Sequence, residues 1–310
     1  MRFLVVMDPL DKLNQETDST VAIIREAIKK SVEISICDTK DLFFLRNAVF
    51  AHCMDSSIQE NNQRIRILKN ETKKLDFFDL ILMRKEPPYD LQYHFATMLL
   101  EKTARPVINS PQGLRNANEK LAILNFPSII PKTIVTQNTN SILSFLGEHK
   151  KCVIKPLDLY GGKDVKIIEN GKKNAITQIK KITQNGKKYA MVQPFMPEVM
   201  QGDKRIFLLN GKPIGAFTRV PKQGDFRANL AVGGTAKRTN LTKSDLHIIK
   251  TIQPYLKREG LAIVGIDIIK DKLIEINVTC PTGLVPLQIL YGTNPAAEIA
   301  DFLVAKAYKK

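Results

Sequence analysis

At 310 residues the chain exceeds what one hydrophobic core usually serves, so two or three subdomains are expected. Its 44% hydrophobic fraction is ordinary for a globular protein, and no apolar run is long enough to cross a membrane. The net charge of +16 admits nucleic acid as a partner, but the lysines fall in spaced pairs, aromatics make up 7% and there is no Trp, so no stacking surface accompanies them; anionic substrates fit the charge equally well.

The chain opens with a strand over 3–7, closed by Asp8-Pro9. Its apolar stretch is too short for a secretory signal, which makes the cytoplasm the expected location. Asp18-Ser19-Thr20 caps a helical pattern over 21–30, and a strand over 32–37 follows. A mixed stretch without period runs to about residue 75. The segment 78–84 reads as a buried strand that exits through Arg84-Lys85-Glu86-Pro87-Pro88, where two prolines force extended backbone. A helix over 91–102, a short strand over 106–109 and a connecting helix over 111–126 complete an open α/β N-terminal domain, whose ligands belong beyond the strand ends where Asp8 and Arg84-Lys85 sit.

A second region begins with a strand over 152–156, a helix over 175–183 and a strand over 189–195. Strands over 205–209 and 214–220 flank Asn210-Gly211-Lys212-Pro213, a hairpin signal. The stretch 221–238 is glycine-rich and aperiodic, the usual mark of a functional or disordered loop. A helix over 242–259, a hairpin over 264–279 and a helix over 295–308 close the chain. Cys37, Cys53, Cys152 and Cys280 form no C-x-x-C pair and read as free thiols.

The last hairpin interrupts apolar strands with Asp267, Glu275 and Asn277. Glu275 and Asn277 are two apart and share a face. Asp267 joins them if the loop has an odd number of residues, such as 270–272; a two-residue loop sends it to the other face. In the first register three hard oxygens converge, a set suited to Mg²⁺ completed by substrate phosphates. The plain alternative is a hairpin with a wet face. Four further features point toward phosphate, each with a plain reading of its own. Lys155 ends an apolar strand, or lies at an edge. Tyr160-Gly161-Gly162-Lys163 lets backbone N–H groups approach an anion, or merely turns. Gln193-Pro194-Phe195-Met196 forms an apolar slot for a flat ring, or a strand exit. Gly202-Asp203-Lys204-Arg205 offers a ribose partner and a phosphate partner, or a salt-bridged turn. Walker A, dinucleotide-binding and protein-kinase signatures are all absent.

Taken in order, these features resemble the ATP-grasp ligases, and within them the bacterial glutathione synthetases, over nearly the whole chain. The phrases that carry the resemblance are Val6-Met-Asp-Pro9, Leu80-Ile-Leu-Met-Arg-Lys85, Asn109-x-Pro111-Gln-x-Leu-Arg115 and Asn118-Glu-Lys-Leu121. Lys155-Pro-Leu-Asp158, Gly202-Asp-Lys-Arg205, Val264-Gly-Ile-Asp267 and Glu275-Ile-Asn-Val-Thr279 with Pro281-Thr282 continue it. The family's lid Gly-Gly-Arg is Gly233-Gly234-Thr235 here, and Cys280 stands where serine is common.

The resemblance implies an ATP-grasp fold in three parts: an N-terminal domain over 1–122, a small subdomain over 123–200, and a C-terminal subdomain over 201–310 with a lid over 221–238. It implies that Lys120 and Lys155 hold ATP phosphates, with Gly161 and Gly162 in a small loop over them. Gln193, Pro194, Phe195 and Met196 would line the adenine slot and Asp203 would meet the ribose. Asp267, Glu275 and Asn277 would hold Mg²⁺ (or Mn²⁺), while Arg205, Arg219 and Arg227 would serve catalysis. Asp18, Ser19 and Arg84 would meet γ-glutamylcysteine, with Thr282 and Gly283 beside glycine, and Arg227 and Asn229 would face the substrates from the lid. The same resemblance implies a homotetramer with no nucleic-acid or membrane partner. The rival expectations are a related ligase adding glutamate or another amino acid to a protein or small acid, and a basic nucleic-acid-binding protein.

Overall fold

A computed structural model describes every residue except Glu60, Asn62, Lys309 and Lys310. The first 108 residues build a seven-stranded sheet from β1 (Arg2–Val6), β2 (Glu33–Cys37), β3 (Leu42–Leu45), β4 (Ala48–Ile58), β5 (Ile65–Lys74), β6 (Leu80–Met83) and β7 (Val107–Ile108). The order is β3-β4-β2-β1-β6-β7, with β5 on the free side of β4. β2, β1, β6 and β7 are parallel, and their centres are buried on both faces, as the apolar runs of β1 and β6 require. Helix α1 (Ser19–Lys29) starts on Asp18, whose carboxylate accepts from Thr20 N and Val21 N at 2.7 and 2.9 Å. Helix α2 (Leu91–Leu100) lies between β6 and β7 in sequence and starts on Asp90.

Two expectations change in this half. The stretch up to residue 75 is not irregular: β3, β4 and β5 form antiparallel pairs there. β5 is an outer strand whose side chains are mostly exposed, so no apolar alternation marks it. The connecting helix over 111–126 is broken into α3 (Pro111–Asn116) and a short 3-10 turn (Leu121–Asn125). Asn118 makes the break, its Oδ1 accepting from Lys120 N at 3.1 Å and Leu121 N at 3.0 Å. The strands on either side of the two regions are tied by Asn109. Its Nδ2 donates to Ile263 O and Val278 O, and its Oδ1 accepts from Ala262 N and Ile263 N, all within 2.8 Å.

A four-stranded sheet follows, in the order β10-β9-β11-β8, from β8 (Ile134–Thr136), β9 (Lys151–Pro156), β10 (Lys166–Glu169) and β11 (Ala190–Pro194). Helices α4 (Thr139–His149) and α5 (Asn174–Ile182) cover one face, and Ile142, Leu146, Cys152, Ile154, Ile179 and Val192 make a small core there.

The third sheet runs β14-β13-β12-β15-β16, from β12 (Asp203–Leu209), β13 (Lys212–Val220), β14 (Thr235–Arg238), β15 (Ile263–Ile269) and β16 (Lys272–Asn277). β12 and β13 meet at Asn210-Gly211, both with positive φ, a tight hairpin turn. β14 occupies the end of the stretch expected to be wholly loop. Helix α6 (Lys243–Arg258) starts with the Thr242/Asp245 capping box and packs Ile248, Ile252 and Leu256 against Ile206, Val264 and Ile266. On the opposite face Phe207 and Phe217 share a core with α1, α7 (Leu284–Tyr291), α8 (Pro295–Tyr308) and one face of the first sheet. The first and third sheets therefore share both of their cores, whereas the second has a core of its own on its helical face and reaches the shared one through Met191 and Val135.

Candidate active site

Between the second and third sheets lies a cleft of about 830 Å³. Alternation on β9 aims its wall residues. Cys152 and Ile154 point into the small core, so Val153 and Lys155 face the cleft. On β11, Ala190 and Val192 point into the same core and Gln193 faces the cleft opposite Val153. Lys155 Nζ donates to Gln193 Oε1 at 3.0 Å, and Gln193 Nε2 donates to Thr133 Oγ1 at 3.0 Å. Lys155 is only 8% exposed, and burial holds its ammonium below its ordinary pKa despite the pull of Glu275. Pro194, Phe195 and Met196 continue the wall with Val199, Ile269 and Ile274, an apolar end to an otherwise charged cleft.

The charged end rests on the third sheet. Along β12, Ile206 and Leu208 point to the α6 side, leaving Asp203 and Arg205 on the other face. Asp203 stands opposite Arg219 of β13, and Arg205 opposite Asp267 of β15. Arg219 donates to Asp203 at 2.6 and 2.7 Å and also lies 3.0 Å from Asp267. Arg205 donates to the two oxygens of Asp267 at 2.5 and 3.0 Å. Burial alone would raise the Asp267 pKa, but Arg205 and Arg219 hold the carboxyl well below its ordinary range. Burial opposes charge on Arg219 as well, yet Asp267 and Asp203 keep its pKa above the ordinary value. Four buried charges thus neutralise one another in a forked network.

Asp267 does face Glu275, by a route other than the one expected. The turn is the two-residue Lys270-Asp271, which by itself would send Asp267 to the wrong face. A β-bulge restores the pairing: Ile268 stands opposite Leu273 but Asp267 opposite Glu275, so Ile274 is the extra residue. Asn277 then donates to Asp267 Oδ2 at 3.2 Å. Glu275 is 22% exposed toward the cleft, with Lys120 Nζ 3.8 Å from its Oε1. Lys120 Nζ also donates to Leu159 O at 2.5 Å. Among the described residues no group of three or more His, Cys, Asp or Glu is arranged to hold a metal ion. The face offers two carboxylates and a carboxamide.

Above the charged end, residues 221–234 fold over the cleft mouth, bringing Phe226, Arg227, Ala228 and Asn229 to its lining. Arg227 is held by Asp225 at 2.7 Å, and that bond draws the Asp225 pKa down to about 2. The Gly161-Gly162 turn meets this loop. A Cβ on Gly162, whose φ is +76°, would come within 2.7 Å of Asn229 Oδ1, so the close approach demands glycine. Gly161 also has positive φ but open space around it, and it does not line the cleft.

The remaining expected residues lie apart from the cleft, with Ser19, Arg84 and Gly283 buried, Asp18 half-buried and Thr282 exposed. Arg84 donates to Thr20 Oγ1 and to Pro281 O, both at 3.0 Å. Ser19 Oγ accepts from Gly283 N at 3.0 Å and Leu284 N at 3.2 Å, and Asp18 caps α1 beside it. Thr282 touches the cleft network only through its carbonyl, which accepts from Arg205 at 3.2 Å. Arg84 and Ser19 are sealed between the first and third sheets and do not line the cleft. Asp8, at the end of β1, forms an ion pair with Lys85 and accepts from Glu86 N at 2.8 Å. Residues beyond those expected also line the cleft: Pro131, Leu159, Lys163 and Phe226. Only Lys163, beside the double glycine, carries a local signal.

Two family models cover this chain: prokaryotic glutathione synthetase, N-terminal domain, over residues 1–115, and prokaryotic glutathione synthetase, ATP-grasp domain, over residues 119–292. The glutathione synthetase of Buchnera aphidicola subsp. Schizaphis graminum is 38% identical over 310 residues, covering 98% of this chain and 97% of the relative. That of Synechocystis sp. is 37% identical, with 98% and 99% covered, and that of Nitrosomonas europaea 37%, with 100% and 99%. Among solved structures, the D-cycloserine synthetase DcsG superposes with a TM-score of 0.70 at 13% identity, covering 98% of this chain and 99% of its own. The ATP-grasp ligase PsnB complexed with minimal precursor gives 0.63 at 16%, with 98% of each chain covered. These likenesses establish the ATP-grasp fold.

Proposed function

Because the chain belongs to the prokaryotic glutathione synthetase family, we propose that its cleft joins γ-glutamylcysteine to glycine with ATP as the co-substrate. The observation that supports this most is the pairing of full-length kinship with one continuous cleft, apolar at one end and charged at the other. The adenine lies between Pro194, Phe195, Met196 and Ile269, and Asp203 meets the ribose. Lys120 and Lys155 hold the phosphates, with the Gly161-Gly162 turn over them. A buried lysine with a depressed pKa regains its proton affinity when an anion arrives, so nucleotide binding relieves a cost the empty cleft carries.

The donor set of Asp267, Glu275 and Asn277 suits Mg²⁺, and Mn²⁺ equally, because hard cations take a few carboxylate oxygens and complete their shell with phosphate and water. Glu275 fits best, since it opens to the cleft and meets only Lys120. A bound ion supplies neutralisation of phosphate charge at this face.

In the reaction the cysteinyl carboxylate attacks the γ-phosphorus and ADP departs, leaving an acyl phosphate. The glycine amine then attacks the acyl carbon, phosphate leaves and the amine proton is released. Arg219 and Arg227 face the developing charge, while Arg205 orients Asp267 from behind. Residues 221–234 act as the lid that keeps water from the acyl phosphate, with β14 (Thr235–Arg238) anchoring its end to the third sheet, and Asn229 faces the acceptor. Asp18, Thr282 and Gly283 border the γ-glutamylcysteine and glycine side, and Arg84 and Ser19 hold that border from behind through Pro281, Gly283 and Leu284. The chain divides at 122 and 200, assembles as a homotetramer and works in the cytoplasm. No helix is long and apolar enough to cross a membrane among the described residues.

The test is ADP release with γ-glutamylcysteine and glycine added singly and together. Turnover should require both. Turnover that ignores them, or that follows glutamate instead, would overturn the assignment.

A further inference from the structure

Glu119 precedes Lys120 in the break between α3 and the following 3-10 turn, and it makes four hydrogen bonds to a single short segment. Its main-chain carbonyl accepts from Ile276 N at 3.0 Å. Its Oε1 accepts from Val278 N at 3.0 Å, Thr279 N at 3.1 Å and Thr279 Oγ1 at 2.7 Å. That segment is the end of β16, the outermost strand of the third sheet. Its outward-facing N–H groups would otherwise be open donors. Residue 129 covers the start of the same edge, where Leu273 N donates to Ile129 O at 2.9 Å. Between the donors taken by Glu119 sits Asn277, and Glu275 lies just before them.

The neighbours of Glu119 reach elsewhere. Asn118 Nδ2 donates to Leu157 O at 3.3 Å, and Lys120 Nζ to Leu159 O at 2.5 Å, both just beyond β9. Three consecutive side chains thus tie two walls of the cleft: 118 and 120 to the second sheet, 119 to the third. A carboxylate accepts without donating, which matches three donors gathered on one oxygen.

We propose that Glu119 is a positioning residue that clamps the end of β16 to the Lys120 turn, holding Glu275 and Asn277 at a fixed distance from the phosphate-binding lysine. The inference rests on the reading of Lys120 as a phosphate ligand and of Glu275 and Asn277 as metal ligands. The clamp couples the two: metal binding on β16 stiffens the lysine turn, and nucleotide held by the lysine favours the metal-ready strand.

The experiment is isothermal titration of the full chain with ADP, with and without Mg²⁺, which needs neither acceptor substrate. Glu119→Ala should shrink the Mg²⁺-dependent gain in ADP affinity by about 10–100-fold, the usual loss when support behind a metal ligand is removed. Metal-free ADP binding should fall far less. Glu119→Gln, whose amide oxygen accepts from the same three donors, should recover most of the gain. Thr279→Val removes one bond of the three and should fall between. With ATP and both acceptors, KM for Mg-ATP should rise more than kcat falls. A wild-type Mg²⁺-linked gain in Glu119→Ala overturns the clamp, as do equal losses with and without Mg²⁺, or a Glu119→Gln no better than the alanine variant. If Glu119→Ala fails to fold, Thr279→Val decides: a gain equal to wild type overturns the proposal. Turnover without dependence on γ-glutamylcysteine and glycine counts against the substrate assignment alone, because ADP binding judges the clamp separately.

Discussion

The wall that carries Lys155 and Gln193 stands on a four-stranded sheet with its own small core, whereas the wall that carries Asp203 and Asp267 stands on a sheet whose two faces are buried in cores shared with the N-terminal sheet. The first wall holds one buried lysine beside a neutral amide. The second holds two carboxylates and two guanidinium groups that satisfy one another. Charge placement follows mechanical support. The wall sharing its cores bears the balanced network, which keeps its shape without a ligand. The lighter wall bears the unbalanced charge, a buried ammonium whose pKa burial lowers. A cleft of this kind is rigid where geometry matters and responsive where a ligand must be drawn in.

The strongest way to break the contrast is to unbalance the network. Asp267→Asn leaves Arg205 and Arg219 facing each other in a buried site. It should lower stability by about 3–5 kcal/mol and abolish turnover, read by urea denaturation and ADP release. A variant as stable as wild type would show that the network is not self-supporting.

The reverse outcome is expected on the other wall. Lys155→Met should reduce turnover by about 10²–10³-fold, as loss of a preorganised charge does. In the empty protein it should raise the urea midpoint, because burial lowers the Lys155 pKa from its ordinary 10.5. The sign follows from linkage: a base with a depressed folded pKa destabilises below that pKa, and the penalty shrinks as pH rises toward 10.5. The stability advantage of Lys155→Met should therefore be largest near neutral pH and fade in alkaline buffer. A constant advantage would mean that shape, not charge, sets the difference.

A subtler test concerns the separate core. Ile179→Ala should cost about 2–4 kcal/mol locally. Hydrogen exchange should quicken in β9 and β11 while β1 and β6 keep wild-type protection. Equal loosening in both sheets would show that the walls melt as one.

Much of this was legible before any coordinates. The apolar alternation around Lys155 marks which side faces the cleft, and Asp18 announces the start of α1. The apolar cleft wall of Pro194, Phe195 and Met196 shows in the sequence as a proline-stiffened strand exit. Asp267 was legible as a candidate but not by its route, since the bulge at Ile274 depends on strand pairing rather than local composition. β5 escaped because an outer strand with both faces wet has no periodicity. Glu119 carries no sign of its contacts in the sequence, because its partners lie some 160 residues away. Arg84 and Ser19 were placed with the substrate by resemblance, whereas their partners here join two sheets.

Helix α8 covers α1 and one face of the first sheet, with Ala296, Ile299 and Leu303 packed among Val21, Ile24, Phe3 and Val5, and Lys30 bonded to Asp301 at 2.6 Å. The consequence concerns time. During synthesis, the strands of the first sheet and α1 emerge early, but the face they share is only partly covered until residues 295–308 leave the ribosome. The nascent chain must carry exposed Phe, Val and Ile throughout that interval, so its solubility at birth depends on how quickly its last helix arrives.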